Sequence, residues 1–259
     1  TMRQFQHAIV GRPCRAMVDG ITSAPELGKP IYELALEQHD AYIRALEQCG
    51  IEVSILDADE AFPDSCFIED VAVLSKKCAV VTNPGAPSRN GEKRLIIDEI
   101  RKYYDEAAIH CIQTPGTLDG GDVMMVGDCF YVGESERTNT EGIRQFGSIL
   151  AAYGYSCIAV PMEKMLHLKT GVNYLENNNL LAAGEFAQNP LFDRFQKVLV
   201  PEEEAYAANC VWINDTVIVP EGYPKVLAEI KKLGYRTVTV DVSEFRKLDG
   251  GLSCLSLRF

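Results

Sequence analysis

One order of elements recurs along this chain and constrains its fold more than any single motif: an apolar hairpin, then a helix, then a strand. Residues 70–82 hold two apolar runs, 71–74 and 79–81, separated by Lys76 and Lys77, which reads as a hairpin. A helix is expected at 91–104 and a strand at 109–113. The same order follows with hairpins at 122–126/130–133, 172–175/180–183 and 210–213/217–219, turned at Gly127-Asp128, Asn177-Asn178-Asn179 and Asn214-Asp215. Each is followed by a helical pattern (140–153, 189–195, 223–233) and a strand pattern (156–161, 197–200, 237–242). A fifth unit has to be completed from both ends of the sequence. It has a strand at 8–10, an amphipathic helix at 30–49 stopped by Gly50, a strand at 51–56, and a last strand bearing Cys254. If that last strand pairs with the first, five modules close into a ring with no end repeat left unpaired. The expected class is therefore α/β, as one domain over residues 1–259.

The balance of residues narrows the function classes. A net charge of −12 argues against nucleic-acid and anionic-membrane partners. No charged-then-apolar leader and no apolar run of about 20 residues is read, so neither secretion nor a membrane span is expected. Nine cysteines are scattered singly without a C-x-x-C pair, which suits a reducing compartment and a cytoplasmic enzyme. The four histidines show no ligand grouping, so no metal and no cofactor is expected. A homodimer is allowed by the sequence.

Several polar groups interrupt apolar segments. Asp249-Gly250-Gly251 signals a turn, after which Leu255, Leu257 and Phe259 alternate as the inward face of a strand, with Cys254 on the other face. A lone cysteine is more often a small buried hydrophobe than a nucleophile, so the tail by itself settles nothing. Asp64, Glu69 and Asp70 enter an otherwise buried hairpin, where carboxylates need a partner or a cation; a solvated turn is the alternative. Asp119 and Asp122 flank Gly120-Gly121, which is also a plain turn signal. His167 lies between two leucines, the usual setting of a core histidine. Taken together, Asp119, His167 and Cys254 supply an orienter, a proton carrier and a nucleophile. Arg89 and Arg137 follow strand ends, where their forks suit either a ligand carboxylate or a surface ion pair.

Read in order, these segments resemble the dimethylarginine dimethylaminohydrolases of the amidinotransferase and arginine-deiminase superfamily. The likeness runs through Leu27-Gly-Lys-Pro30, Phe62-Pro-Asp64, Phe67-Ile-Glu-Asp70, Pro87-Ser-Arg-Asn-Gly-Glu92, Leu118-Asp-Gly-Gly-Asp-Val123, Gly133-Glu-Ser-Glu-Arg-Thr-Asn139, Leu166-His-Leu-Lys-Thr-Gly171 and Asp249-Gly-Gly-Leu-Ser-Cys254. The resemblance implies a five-bladed α/β propeller (pentein). It places the nucleophile on Cys254, the general acid and base on His167, and that histidine's acidic partner on Asp119. Asp64, Glu69 and Asp70 fall where the guanidinium region is bound, with Phe67 packed over it. Arg89 and Arg137 would take the amino acid's carboxylate, the backbones of Ile21 and Leu248 its ammonium, and Asp249 joins the substrate-binding set. The implied substrate is a methylated arginine, hydrolysed to citrulline. A guanidinium carbon is a poor electrophile, so a thiolate and a proton for the departing nitrogen are both needed.

Two rivals share these residues: an arginine deiminase, and a non-catalytic binder of cationic amino acids. Deiminases usually carry an acid where this chain has Lys169, and a lysine there leaves one guanidine nitrogen room for methyl groups. The binder predicts loss of Cys254 or His167, and both are present. Residues 22–28 are small and turn-forming, and are expected to close over the pocket beside Ile21.

Overall fold

In the computed structural model, which describes residues 4–259, five small sheets of three strands stand around a common centre. Each combines an antiparallel pair with a third strand added in parallel. Parallel addition needs a crossover, which is why a helical segment precedes each third strand.

The first sheet holds β1 (His7–Gly11) and β2 (Glu52–Leu56), joined by the helix α1 (Tyr32–Gln48). The next has β3 (Ala72–Leu74), β4 (Ala79–Val81) and β5 (Ile109–Cys111), with the one-turn helix α2 (Ile97–Ile100) before β5. The third has β6 (Val123–Val126), β7 (Cys129–Glu134), the helix α3 (Thr140–Ala151) and β8 (Ser156–Pro161). After the short helix α4 (Leu168–Gly171) come β9 (Val172–Tyr174), β10 (Asn179–Ala182) and β11 (Gln196–Leu199). The last full unit is β12 (Val211–Ile213), β13 (Thr216–Pro220), the helix α5 (Pro224–Lys232) and β14 (Arg236–Val240), followed by the helix α6 (Ser243–Arg246). β15 (Leu257–Arg258) then pairs with β1, Ile9 opposite Leu257, and closes the ring as the five-unit reading requires. Apolar side chains seal the joints between neighbouring units; Ile9, Val71, Ala79, Ile96 and Leu257 form one such seam. Among the described residues no helix is long and apolar enough to cross a membrane.

Two expected elements differ. The 91–104 helix is split between the end of a 3-10 helix, Pro87–Leu95, and the single turn of α2, with 101–104 in turns. With three residues per turn, residues i and i+3 eclipse. Arg89 and Glu92, three residues apart, thus lie on one line and are both buried. The strand expected to carry Cys254 starts later. Ser253–Leu255 is a 3-10 turn, with Cys254 N–H donating to Gly251 O (3.2 Å) and Leu255 N–H to Leu252 O (3.4 Å). β1 bonds the tail from Leu257 to Phe259 and no residue before it, so the preceding residues bond locally. Tyr42, fully buried on α1, holds this turn by donating to Leu252 O (2.6 Å), with its oxygen 2.8 Å from Ser256 Oγ. Leu255 and Leu257 do point into the core. Of the remaining helical patterns, 189–195 is reduced to the 3-10 turn Pro190–Phe192.

Candidate active site

The segments running into the ring's centre bring together residues that are far apart in the sequence. Asp119 ends the approach to β6, His167 opens α4, and Cys254 sits in the turn before β15. His167 Nε2 lies 2.8 Å from Asp119 Oδ2 and 3.9 Å from Asp70 Oδ1. Asp119 Oδ1 accepts from Gly85 N–H (3.0 Å), and Arg137 stands 3.6 Å from its other oxygen. Gly121 makes the close approach feasible: a Cβ there would lie 3.0 Å from the His167 ring and 2.9 Å from Asp70 Oδ1. Asp122 fixes the backbone, accepting from Leu168 N–H (2.9 Å) and from the hydroxyls of Ser135 and Thr138 (2.6 Å each). Asp119 thus contacts the imidazole directly.

Charge sets the proton inventory. Burial alone would neutralise His167, but Asp70, Asp122 and the hydrogen-bonded Asp119 outweigh it and raise its pKa to about 9. Burial, then Glu69 and Asp70, push the Cys254 thiol up to about 12, against the Gly251 N–H that points at its sulfur (3.5 Å). At neutral pH the resting pair is thus an imidazolium and a thiol. The atoms of Asp70, Asp119 and His167 that could ligate a metal lie within 4.8 Å of one another, a grouping invisible in their sequence spacing. An ion bound there would have to displace the His167 proton.

Cys254 and His167 line a cavity of about 30 Å³ together with Asp64, Phe67 and Asp70. Arg89, Arg137, Ile21, Leu248 and Asp249 complete its wall, so ten of the twelve expected site residues meet in one place. Asp119 stands behind His167, and Glu69 faces two other cavities. Arg89 is held by Glu92 through Nε (2.9 Å) and NH2 (2.8 Å), by Asp70 through NH1 (2.6 Å), and by the Phe67 carbonyl (3.0 Å). Its fork is oriented by the protein before any ligand arrives. The amides of Ile21 and Leu248 are engaged by Asp64 (3.0 Å) and by Phe245 O (3.0 Å), so each offers a ligand its carbonyl. Phe67 packs on Gly250, where a Cβ would come within 2.2 Å of its ring. Asp249 accepts from Ser23 N–H (2.6 Å) and Ser23 Oγ (2.8 Å), fastening the 22–28 segment beside the pocket.

Glu69 is clamped from three sides. Lys169 Nζ (2.6 Å) and Arg258 NH2 (3.0 Å) donate to one oxygen and Ser253 Oγ (3.0 Å) to the other. Arg258 also donates to Ser253 O (3.1 Å) and Ser256 O (2.9 Å), bracing the turn that presents Cys254. Sequence reasoning missed Arg258, Ser253 and Glu92. The signal available was their place: Ser253 and Arg258 flank Cys254, and Glu92 lies three residues from Arg89.

A ring of five α/β units with a thiol and an imidazolium at its centre, above buried carboxylates, defines the guanidine-modifying penteins as a class. The family model described as N,N dimethylarginine dimethylhydrolase, eukaryotic, matches residues 23–187. The chain is 54% identical to the N(G),N(G)-dimethylarginine dimethylaminohydrolase of Pseudomonas aeruginosa, over 98% of this chain and 100% of that one. A Pseudomonas aeruginosa structure of that enzyme, a cysteine-to-serine mutant complexed with citrulline, superposes with TM-score 0.98 at 53% identity over 99% of this chain and 100% of the other. The N-terminal domain of ArgZ, an arginine dihydrolase of cyanobacteria, shares the fold at TM-score 0.86 and 18% identity, over 97% of each chain. This chain belongs to the dimethylarginine dimethylaminohydrolase family.

Proposed function

We infer that this chain hydrolyses Nω-methylated arginine to citrulline and methylamine or dimethylamine, through a covalent S-alkylthiouronium on Cys254. The observation that carries the assignment of roles is that Cys254 and the carboxylate-flanked His167 line one cavity with two oriented arginines and Asp64. Arg89 and Arg137 suit the substrate carboxylate, and the carbonyls of Ile21 and Leu248 suit its ammonium. Phe67, Asp70 and the clamped Glu69 then surround the guanidinium.

The chemistry follows from the proton inventory. A resting thiol near 12 is inert, and carboxylates keep it so. An arriving guanidinium adds the positive charge that stabilises a thiolate, so the substrate itself brings Cys254 into its reactive form, and the thiol proton passes to solvent because His167 already carries one. The sulfur adds to the guanidinium carbon. The carbon–nitrogen bond then breaks, its electron pair staying on nitrogen, which takes the proton from His167. Neutral His167 next removes a proton from water as that water attacks the thiouronium carbon, and the sulfur leaves with the pair of the carbon–sulfur bond. Asp119 keeps the imidazole oriented through both steps.

The test is a side-by-side assay on asymmetric dimethylarginine and arginine, with Cys254→Ser as the blank. Citrulline with dimethylamine, absent from the blank and far slower from arginine, is the expected result; arginine preferred, with ammonia, reassigns the substrate. The nine cysteines are all free, which supports a cytoplasmic setting. Sedimentation decides whether two copies associate.

A further inference from the structure

Behind the pocket that would take the amino acid lies a second cavity of about 40 Å³, and Cys254, His167 and Asp249 line both. We propose that this second cavity is the leaving-group pocket, receiving the methylated nitrogen of the guanidinium and releasing the amine past Thr170. The proposal rests on the reading that the chain hydrolyses methylated arginine, and adds which residues set the size of the amine.

Three observations carry it. The first concerns direction. The groups assigned to the carboxylate and ammonium, Arg89, Arg137, Ile21 and Leu248, line only the first cavity, whereas Cys254 and His167 line both, so a side chain reaching Cys254 from those groups is directed towards the second. The second concerns chemistry. The wall is mainly apolar, and its polar groups satisfy one another. Asn209 donates to Lys169 O (2.9 Å) and Ser253 Oγ (2.8 Å) and accepts from Ser253 N–H (2.9 Å). Lys169 Nζ is bonded to Glu69, and Tyr206 OH donates to Gly250 O (2.6 Å). A ligand there meets mostly carbon surface, with the imidazolium, the sulfur and the Thr170 hydroxyl at the edge, a setting for N-methyl groups beside a proton donor. The third concerns space and exit. A water needs ~10–15 Å³, so the cavity has room for several heavy atoms. Thr170 on α4 is exposed at its edge, whereas the first cavity is flanked by the segment fastened through Ser23 and Asp249. Tyr206 is a stiff opposite wall, its ring 5.6 Å from that of Tyr223 and covered by Arg246 at 5.2 Å. The departing amine, formed as the carbon–nitrogen pair collects the His167 proton, is replaced there by the water that His167 next deprotonates.

The test compares kcat/KM for asymmetric dimethylarginine with that for monomethylarginine in the unaltered protein, Thr170→Leu and Thr170→Ala. Thr170→Leu is expected to lower the dimethyl-to-monomethyl ratio about tenfold, the effect of crowding a pocket by a methylene or two. Thr170→Ala is expected to raise the relative rate on Nω-propylarginine about tenfold. Because each readout is a ratio within one protein, a general loss of activity does not mimic it, and the alanine variant stands if the leucine one does not fold. Ratios within about twofold of the unaltered protein in both variants overturn the pocket. An unaltered protein that turns over neither methylated substrate overturns instead the reading on which the pocket rests.

Discussion

Glu69 and Asp70 are neighbours in the chain, and both are buried at the ring's centre, yet each meets a different kind of cation. Glu69 is bound by the ammonium of Lys169 and the guanidinium of Arg258. Asp70 is bound by Arg89 and faces His167, whose charge is a removable proton. Burial opposes the Asp70 carboxylate, but His167 and Arg89 hold its pKa down to about 2. On the mechanism proposed above, the Glu69 side is a fixed scaffold under Cys254, and the Asp70 side is where a proton moves. Adjacent residues on one 3-10 turn point to opposite sides, so a single short segment serves both purposes.

Substitutions can break this contrast from either side. The largest effect is expected on the mobile side: His167→Gln removes the proton donor and should lower kcat on dimethylarginine by ~10²–10⁴-fold, with KM changed far less. On the fixed side, Arg258→Met leaves Glu69 short of one buried cation and strips the braces from the Cys254 turn. It should cost about 3 kcal/mol in denaturant unfolding, and Lys169→Met less, because Lys169 has its single bond to replace. Asp119→Asn sharpens the comparison without removing either side. His167 has a raised pKa, so its contribution to stability is full below the unfolded value near 6.5 and fades as pH rises through about 9. Losing the Asp119 charge lowers that upper value. The alkaline limb of kcat/KM should move to lower pH, whereas a role confined to packing would leave the limb in place. The smallest effect belongs to neither side. Ser23→Ala removes one of the two bonds to Asp249 and should cost about 1 kcal/mol, seen as a few-fold rise in KM.

The ring was legible because hairpins announce themselves: paired apolar runs around Asn177-Asn178 or Asn214-Asp215, which the structure finds at positive φ, state both the turn and the register. The closing strand followed from needing a partner for 8–10. The intervening helices were less legible. Pro87 and the apolar pattern after it are compatible with an α-helix and with the 3-10 helix that forms, in which Glu92 is buried against Arg89 and holds its guanidinium. At the site, family likeness named the residues that would touch a substrate, and their gathering in one cavity agrees with it. The residues behind them were not legible in this way. Arg258 alternates with Leu257 like any edge residue, and nothing local says that its guanidinium reaches Glu69, 189 positions earlier in the chain. Supporting contacts of this kind depend on the closed ring, whereas hairpin signals are local.

Pairing between β1 and β15 carries a further consequence, in the order of events during folding. Ile9 meets Leu257 across nearly the whole described chain, and contacts of such high sequence separation are the slow ones to form. The turn holding Cys254 lies between the last full unit and that closing strand, and its braces, Tyr42 and Arg258, come from the two sides of the seam. Partly folded chains can build four units and still lack a placed Cys254. The appearance of activity during refolding should therefore lag behind the appearance of sheet signal, and it times the closure of the ring.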